Sequence, residues 1–479
     1  MALGTELMDA GLIERDQLDT ALEEQDLSGL PLGECLLAVG AISTDQLDRF
    51  FSYSVPPLAS LRDTGLETAF MLDLLVKIMF VYGHESKASI CEEIKLPFPV
   101  VEELMELARE RRLIEALGSS GDATLIADIR YGLSDIGRET AQRALQRSQY
   151  AGPAPVTLEA YRDQILRQRI VNDRVDHGRL QRALSHLVLD DALLKQLGPS
   201  VNSGRALLLY GAPGNGKTTL AVGITRSFEQ YVYVPHAVYV SGHIINVYDR
   251  TIHTVVGGGR VSDSYEGGQR LRRSDEDPRW VRCQRPVAIT GGELTLDMLD
   301  VSHDANLRFS EAPMQMKALG GVFLIDDLGR QAVRVEEILN RWIFPLERRV
   351  DYLTLPSGKT FTVPFDGLII FSTNKPPSKL MDDAMLRRIP YKFRIGSPNI
   401  EEYGQIFIKV CEDNGVEFKP LVLERLLQEF YAANNMVLAS FHPAFMMRHV
   451  VATCRFQGRR PEMDIDLMLE AADHLMVHE

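Results

Sequence analysis

The sequence predicts an α/β core closed by a C-terminal helical segment and preceded by two small modules. Three observations carry this. Short apolar runs, Ala206 to Tyr210, Gly321 to Ile325 and Leu368 to Phe371, give way to glycine, paired aspartates or Ser-Thr-Asn, as buried strands do where they meet their loops. α/β alternation continues to about Arg394, and from Asn399 onward the pattern is helical throughout. Residues 1–56 instead repeat internally. A chain of 479 residues suits roughly three domains at about 150 residues each.

Composition excludes several classes. The longest apolar stretch, Ala69 to Tyr82, is interrupted by Asp73 and Lys77, so no segment reads as membrane-inserted. Glu6, Asp9 and Glu14 stand where a signal peptide would carry basic and then apolar residues, which predicts a cytoplasmic protein. Five cysteines, Cys35, Cys91, Cys283, Cys411 and Cys454, lie far apart with no metal-ligand spacing, which argues against both disulfides and zinc, and they read as buried thiols. A net charge of −14 opposes nonspecific attraction to nucleic acid or anionic lipid.

In the first module, Leu3-Gly4, Gly11 and Asp16-Gln17-Leu18-Asp19 return 29 positions later as Leu32-Gly33, Gly40 and Asp45-Gln46-Leu47-Asp48. Glycines before Leu12-Ile13 and Ala41-Ile42 suit helix C-termini, and the acidic segments suit the next helix starts. Two similar helical hairpins follow. Residues 64–150 read as a helix to Tyr82, a second over Ser86 to Ile94, a break at Leu96-Pro97, and a third over Val100 to Arg112. Leu113 to Leu117 and Thr124 to Leu133 then pair as strands before a helix from Gly137 to Gln146. That order resembles a winged-helix domain. Its recognition-helix position carries Glu102, Glu103, Glu106 and Glu110 against Arg109, Arg111 and Arg112, which favours protein contact over reading nucleic acid. Ala151-Gly152-Pro153-Ala154-Pro155 reads as a stiff linker, placing a core over 151–396 and a helical lid over 397–479.

Gly211-Ala212-Pro213-Gly214-Asn215-Gly216-Lys217-Thr218-Thr219 satisfies the phosphate-binding loop pattern between a short strand and the helical run Leu220 to Phe228. Glycines let backbone amides converge on phosphate without side-chain clash, and a helix N-terminus adds partial positive charge. Lys217 is expected at the β- and γ-phosphates of ATP, and the Thr218 hydroxyl at Mg²⁺. Gly321 to Asp327 suits a Walker B strand adjacent to the phosphate-loop strand, with Asp326 at the metal and Asp327 at the attacking water. Asn374, ending the third apolar run, is a candidate sensor orienting that water.

Together these motifs make residues 160–479 resemble the AAA+ family. Phe309-Ser310-Glu311-Ala312 followed by Gly320-Gly321 resembles the segment before Walker B in MoxR-like and magnesium-chelatase-like members. Arg349 to Leu355 and Lys359 to Val363, around Pro356-Ser357-Gly358, match their pre-sensor hairpin. The resemblance implies ATP hydrolysis in a homo-hexameric ring, with Arg388 or Arg387 in Asp382-Asp383-Ala384-Met385-Leu386-Arg387-Arg388-Ile389 as the arginine finger. Two departures are visible: Asp327 stands where most members carry Glu, and at the lid position for a sensor arginine the chain has Ala444, so Arg448 is the nearest candidate. Gly257 to Asp277 is glycine-rich and charged, and reads as mobile. Trp280 and Arg282 fit either an inserted hairpin or a packing role.

The N-terminal repeat resembles the N-terminal domain of type II secretion and type IV pilus ATPases, including a version that binds cyclic di-GMP. That version opens each copy with Arg, whereas Ala2 and Pro31 stand here, and the second Gln is Ser54. Each lost charge-assisted contact removes about 1.5 to 3 kcal/mol. The reading therefore favours docking of a protein target on residues 1–150 over cyclic di-GMP.

Overall fold

The computed structural model describes residues 4, 7–8, 12–28, 32–43, 55–119, 129–256 and 276–476. The second acidic segment of the repeat (45–48), its first and last cyclic di-GMP positions (2, 31 and 54), the start of the second wing strand and most of the glycine-rich stretch after Val256 lie outside them. By contacts the chain forms two compact units: residues 1–168 with 232–239 and 259–282, and residues 169–231 with 240–258 and 283–479.

In the first unit, α1 (Arg15–Ser28) and α2 (Leu32–Ala38) belong to the repeat. The 29-residue offset extends into its core. Leu7 and Leu36 are buried, as are Ile13 and Ile42, and the Leu12 amide bonds to the Leu7 carbonyl as Ala41 does to Leu36. Next come α3 (Thr68–Tyr82), α4 (Lys87–Ile94), α5 (Phe98–Glu110), an antiparallel pair β1 (Ile114–Ser119) and β2 (Ile129–Leu133), and α6 (Asp135–Arg147). Two of the α5 acids are structural: Glu102 pairs with Lys87 at 2.7 Å, and Glu103 accepts from the Leu61 amide at 2.7 Å.

The proline-rich stretch 151–155 does not separate the units. The Ala154 amide bonds to the Ile94 carbonyl, and Val156-Thr157 pairs in parallel with Val238-Tyr239. Arg279, buried on Asp277 through two nitrogens at 2.8 and 3.1 Å, also donates to the Thr64 and Pro155 carbonyls at 3.1 Å. Trp280 beside it is buried, a packing residue.

The second unit is built on a parallel sheet of β3 (Leu207–Tyr210), β4 (Val287–Thr290), β5 (Val322–Ile325), β8 (Leu368–Thr373) and β9 (Tyr391–Arg394). Between β5 and β8 the chain forms helix α8 (Val335–Arg348) and the antiparallel hairpin β6 (Val350–Thr354) and β7 (Thr360–Pro364). Spatial order is β9-β3-β8-β5-β4. This corrects the expected adjacency of the phosphate-loop and Walker B strands: β8 lies between them. The arrangement puts Asn374 beside both, since the ends of three neighbouring parallel strands share one edge.

Alternation along these strands feeds two apolar layers. Leu208, Phe323, Ile325, Ile369 and Phe371 face one side and pack with Ile338, Leu339 and Trp342 of α8. Leu207, Leu209, Val322, Leu324 and Ile370 face the other, against α7 (Lys217–Thr225) and Leu194, Leu197 and Val201. Trp342, fully buried, meets the rings of Phe323 and Phe371 at centroid distances of 5.3 and 6.1 Å.

The hairpin is fastened at its root. Asp351 is wholly buried and accepts from Arg341 of α8 at 2.6 Å and from Gln315 at 3.1 Å. Arg349, which ends α8 at φ 59°, donates to the carbonyls of Gly204, Phe365 and Gly367.

The C-terminal helices α10 (Ile400–Asp413), α11 (His442–Phe456) and α12 (Ile465–Asp473) enclose their own core of Tyr403, Phe407, Met446, Met447, Val450 and Met468. Asn399 and Glu402 close a reciprocal capping box at the start of α10. No described helix is long and apolar enough to cross a membrane.

Candidate nucleotide-binding site

β3 hands the chain to the glycine-rich loop and the loop to the first turn of α7, whose amides have no partner within the helix. Lys217 opens that turn and is buried. Its ammonium donates to the Gly211 carbonyl at 3.1 Å, the Ala212 carbonyl at 2.8 Å and Asn374 Oδ1 at 2.6 Å. Burial pushes its pKa below the ordinary lysine value, while Asp327 and then Asp326 pull the other way. Asn374 Nδ2 donates onward to Asp327 Oδ1 at 2.6 Å. A second link joins Thr218 Oγ1 to Asp326 Oδ2 at 2.7 Å. Three motifs separated by up to 157 positions therefore meet in one cluster.

Gly211 adopts φ 146°, and a Cβ there would stand 2.1 Å from the Ile395 carbonyl oxygen. Gly214, at φ 77°, would place a Cβ 2.3 Å from the Phe441 ring. Both positions therefore exclude side chains on two counts. Gly216 caps α7 at φ 81°, and Pro213 and Thr219 are exposed. Asn215 is buried, with Oδ1 accepting from the Ser440 amide at 3.2 Å and Nδ2 unpartnered.

The cradle fits ATP with Mg²⁺. Loop amides and the Lys217 ammonium suit phosphate oxygens, and a hydroxyl beside a carboxylate is the oxygen donor set a hard dication prefers.

The turn after β5 is held by groups that no motif announced. Gln331 donates to the Gly291 and Asp326 carbonyls at 3.1 and 3.0 Å and accepts from the Gly329 amide at 2.8 Å. Asp327 itself sits at φ 50°. Phe441 was also missed: its amide donates to the Gly214 carbonyl at 3.1 Å, laying the start of α11 on the loop. Only the bareness of Gly214 hinted at a neighbour there.

The candidate arginines lie apart from this cluster. Arg387 and Arg388, on α9 (Asp383–Arg388), line a cleft of about 520 Å³ with Arg205 and Glu347. Arg387 is exposed, while Arg388 meets Glu347 at 2.8 Å and the Ala384 carbonyl at 2.8 Å. Arg448 is exposed and donates back to the Ala444 carbonyl of its own helix at 3.1 Å.

Residues 399–474 match a family described as a domain of unknown function (DUF8689). No curated protein matches the chain. Similar solved structures include the RuvB Holliday junction branch migration motor of Thermotoga maritima, at 16% identity over 65% of this chain and 74% of that one, with a TM-score of 0.32. NtrX from Brucella abortus is 14% identical over 72% of this chain and 68% of its own, with a TM-score of 0.37.

Proposed function

We propose that the chain is a Mg²⁺-dependent ATPase of the AAA+ kind, working as a homo-hexameric ring that remodels a protein target recruited through residues 1–150. The observation that carries this is the double link Lys217–Asn374–Asp327 and Thr218–Asp326, which gathers the residue types of phosphate binding, metal binding and water activation at one sheet edge. Bound there, Mg²⁺ supplies charge neutralisation at the phosphate oxygens. Thr218 and Asp326 would hold it. Lys217 faces the phosphates as a point charge, Asp327 accepts the proton of the attacking water, and Asn374 fixes the Asp327 carboxylate. Arg388, with Arg387 beside it, serves the neighbouring subunit's site, and Arg448 is the lid residue assigned to the nucleotide.

The target belongs to a secretion, pilus or motility system, a reading supported by the N-terminal repeat; the departures at Ala2, Pro31 and Ser54 weigh against cyclic di-GMP. A second reading, a slowly hydrolysing ATP-gated scaffold, is favoured by the short Asp327 side chain and by Arg448 bonding to its own helix. A nucleic-acid-dependent regulator is disfavoured by Glu102 and Glu103 on α5.

Calorimetry and phosphate release test the site together. Lys217→Ala is expected to abolish tight ATP binding, and Asp326→Ala to abolish Mg²⁺-dependent turnover. Unchanged ATP affinity in Lys217→Ala would refute the assignment, and the turnover number of the native chain separates motor from scaffold.

A further inference from the structure

We propose that His449, Glu470 and His474 form a binding site for a transition-metal dication, with Zn²⁺ the best match, clipping α11 to α12 in the C-terminal helical segment. One nitrogen or carboxylate oxygen from each lies within 4.8 Å of the others. His449 Nε2 stands 3.7 Å from Glu470 Oε1, and the His449 and His474 ring centroids are 5.4 Å apart. Tetrahedral zinc with bonds of about 2.0 to 2.2 Å needs donors about 3.3 to 3.6 Å from one another. The first pair is therefore close to that spacing, and the third ligand needs only side-chain rotation.

The backbone beneath the three is fixed by packing. His449 lies between the buried Met447 and Val450 on α11, and Ala471 and Ala472 between Glu470 and His474 are buried as well. Glu470 and His474 are four residues apart, on one helical face. His474 is the C-cap of α12 and keeps helical dihedrals, φ −66° and ψ −11°, so that spacing holds to the end. Pre-positioned ligands on two packed helices are what a metal site requires of its scaffold.

The chemistry of the donors selects the ion. Two imidazoles and one carboxylate suit zinc and its neighbours in the first transition row, whereas magnesium and calcium prefer all-oxygen sets. His449 Nε2 is itself shielded from solvent and has no hydrogen-bond partner. A buried polar atom left so calls for an explanation, and a metal–nitrogen bond is the one its neighbours can provide. Three protein ligands leave the fourth position to water. His449 lies mid-way along α11, whose N-cap, Phe441, bonds through its amide to the phosphate loop.

The test is a titration of the full chain, stripped of metal and free of nucleotide, with Zn²⁺ by calorimetry and with Co²⁺ by visible absorption. One ion per chain is expected, and cobalt should show the intense d–d bands of four-coordination. His449→Ala, His474→Ala and Glu470→Gln should each weaken binding by more than the 10- to 100-fold, roughly, that loss of a merely supporting group costs. Circular dichroism of the metal-free variants should match that of the native chain, because the three side chains are only partly buried or exposed. Cys91→Ser, which removes the one cysteine that is not buried, should leave binding unchanged. No binding of either ion, or binding that survives the histidine variants and disappears with Cys91, would overturn the proposal.

Discussion

Asp327 shows how backbone and chemistry meet in one residue. At φ 50° it occupies the left-handed region, which Asp and Asn tolerate several-fold better than other side chains because a short polar group can bond locally. The turn is held by its backbone, the amide donating to Asp326 Oδ1 at 3.0 Å and the carbonyl accepting from the Arg330 amide, while its carboxylate is left to accept from Asn374. The departure from Glu thus has a conformational reason that no motif contains. Asp327→Asn keeps both the size and the left-handed tolerance while removing the proton acceptor. It should spare ATP binding and lower phosphate release by about 10² or more; normal turnover would place the base elsewhere. A second residue gives a pH signature. Burial pushes Lys77 down to about 8 from 10.5, against the pull of Asp73, and the Arg147 charge adds to the fall. Between those values the unfolded chain holds a proton that the folded one has released, so this lysine makes stability rise with pH from about 8 to 10.5. Below 8 its cost is felt in full. Lys77→Met should raise thermal stability at pH 7 and flatten that rise, as followed by circular dichroism; a steeper rise would mean the ammonium is favoured where it lies.

At the level of elements, the phosphate loop, the Walker B run and the Asn374 strand were legible because each is a local string, a short apolar run that ends in glycines, paired carboxylates or Ser-Thr-Asn. Their order in the sheet was not. β8 pairs with β3 across more than a hundred residues, which inserts it between β3 and β5, and β4, Val287–Thr290, carries no motif. The lid contact was equally hidden, since nothing between Asn435 and Phe441 forms a motif. It makes a paired test possible. Gly214→Ala would drive a methyl into the Phe441 ring and add left-handed strain of about 1 kcal/mol or more, so ATP affinity should fall through displacement of α11. Phe441→Ala alone removes the ring, and combined with Gly214→Ala it should recover part of the affinity. A double variant no better than Gly214→Ala would show that the strain, not the collision, is what matters.

For the whole molecule, the proposed ring predicts complementation. Lys217→Ala lacks a nucleotide pocket but keeps its arginines, and Arg388→Ala has the opposite defect. An arginine finger contributes about 10³ to 10⁵ in rate, so each alone should be inactive, and phosphate release should partly return when the two are mixed. Co-assembly without recovery at any ratio would favour a site complete within one chain. At this scale a proline-rich string looks like a boundary, yet residues 151–155 lie inside one unit, where Val238 pairs with the adjoining Val156 and Arg279 donates to the Pro155 carbonyl, both from distant parts of the chain. One feature of the second unit carries this further. With Asp351 clamped by Arg341 and Arg349 tied to three carbonyls, the hairpin is a cantilever without a hinge. Load on its tip at Ser357-Gly358 is therefore expected to pass through the root and arrive as torque on α8. The Trp342 indole touches the rings of Phe323 and Phe371, each three residues before a residue of the proposed site, Asp326 and Asn374. For the proposed ATPase, work done at the tip and the alignment of the reacting groups are then expected to be a single mechanical coordinate.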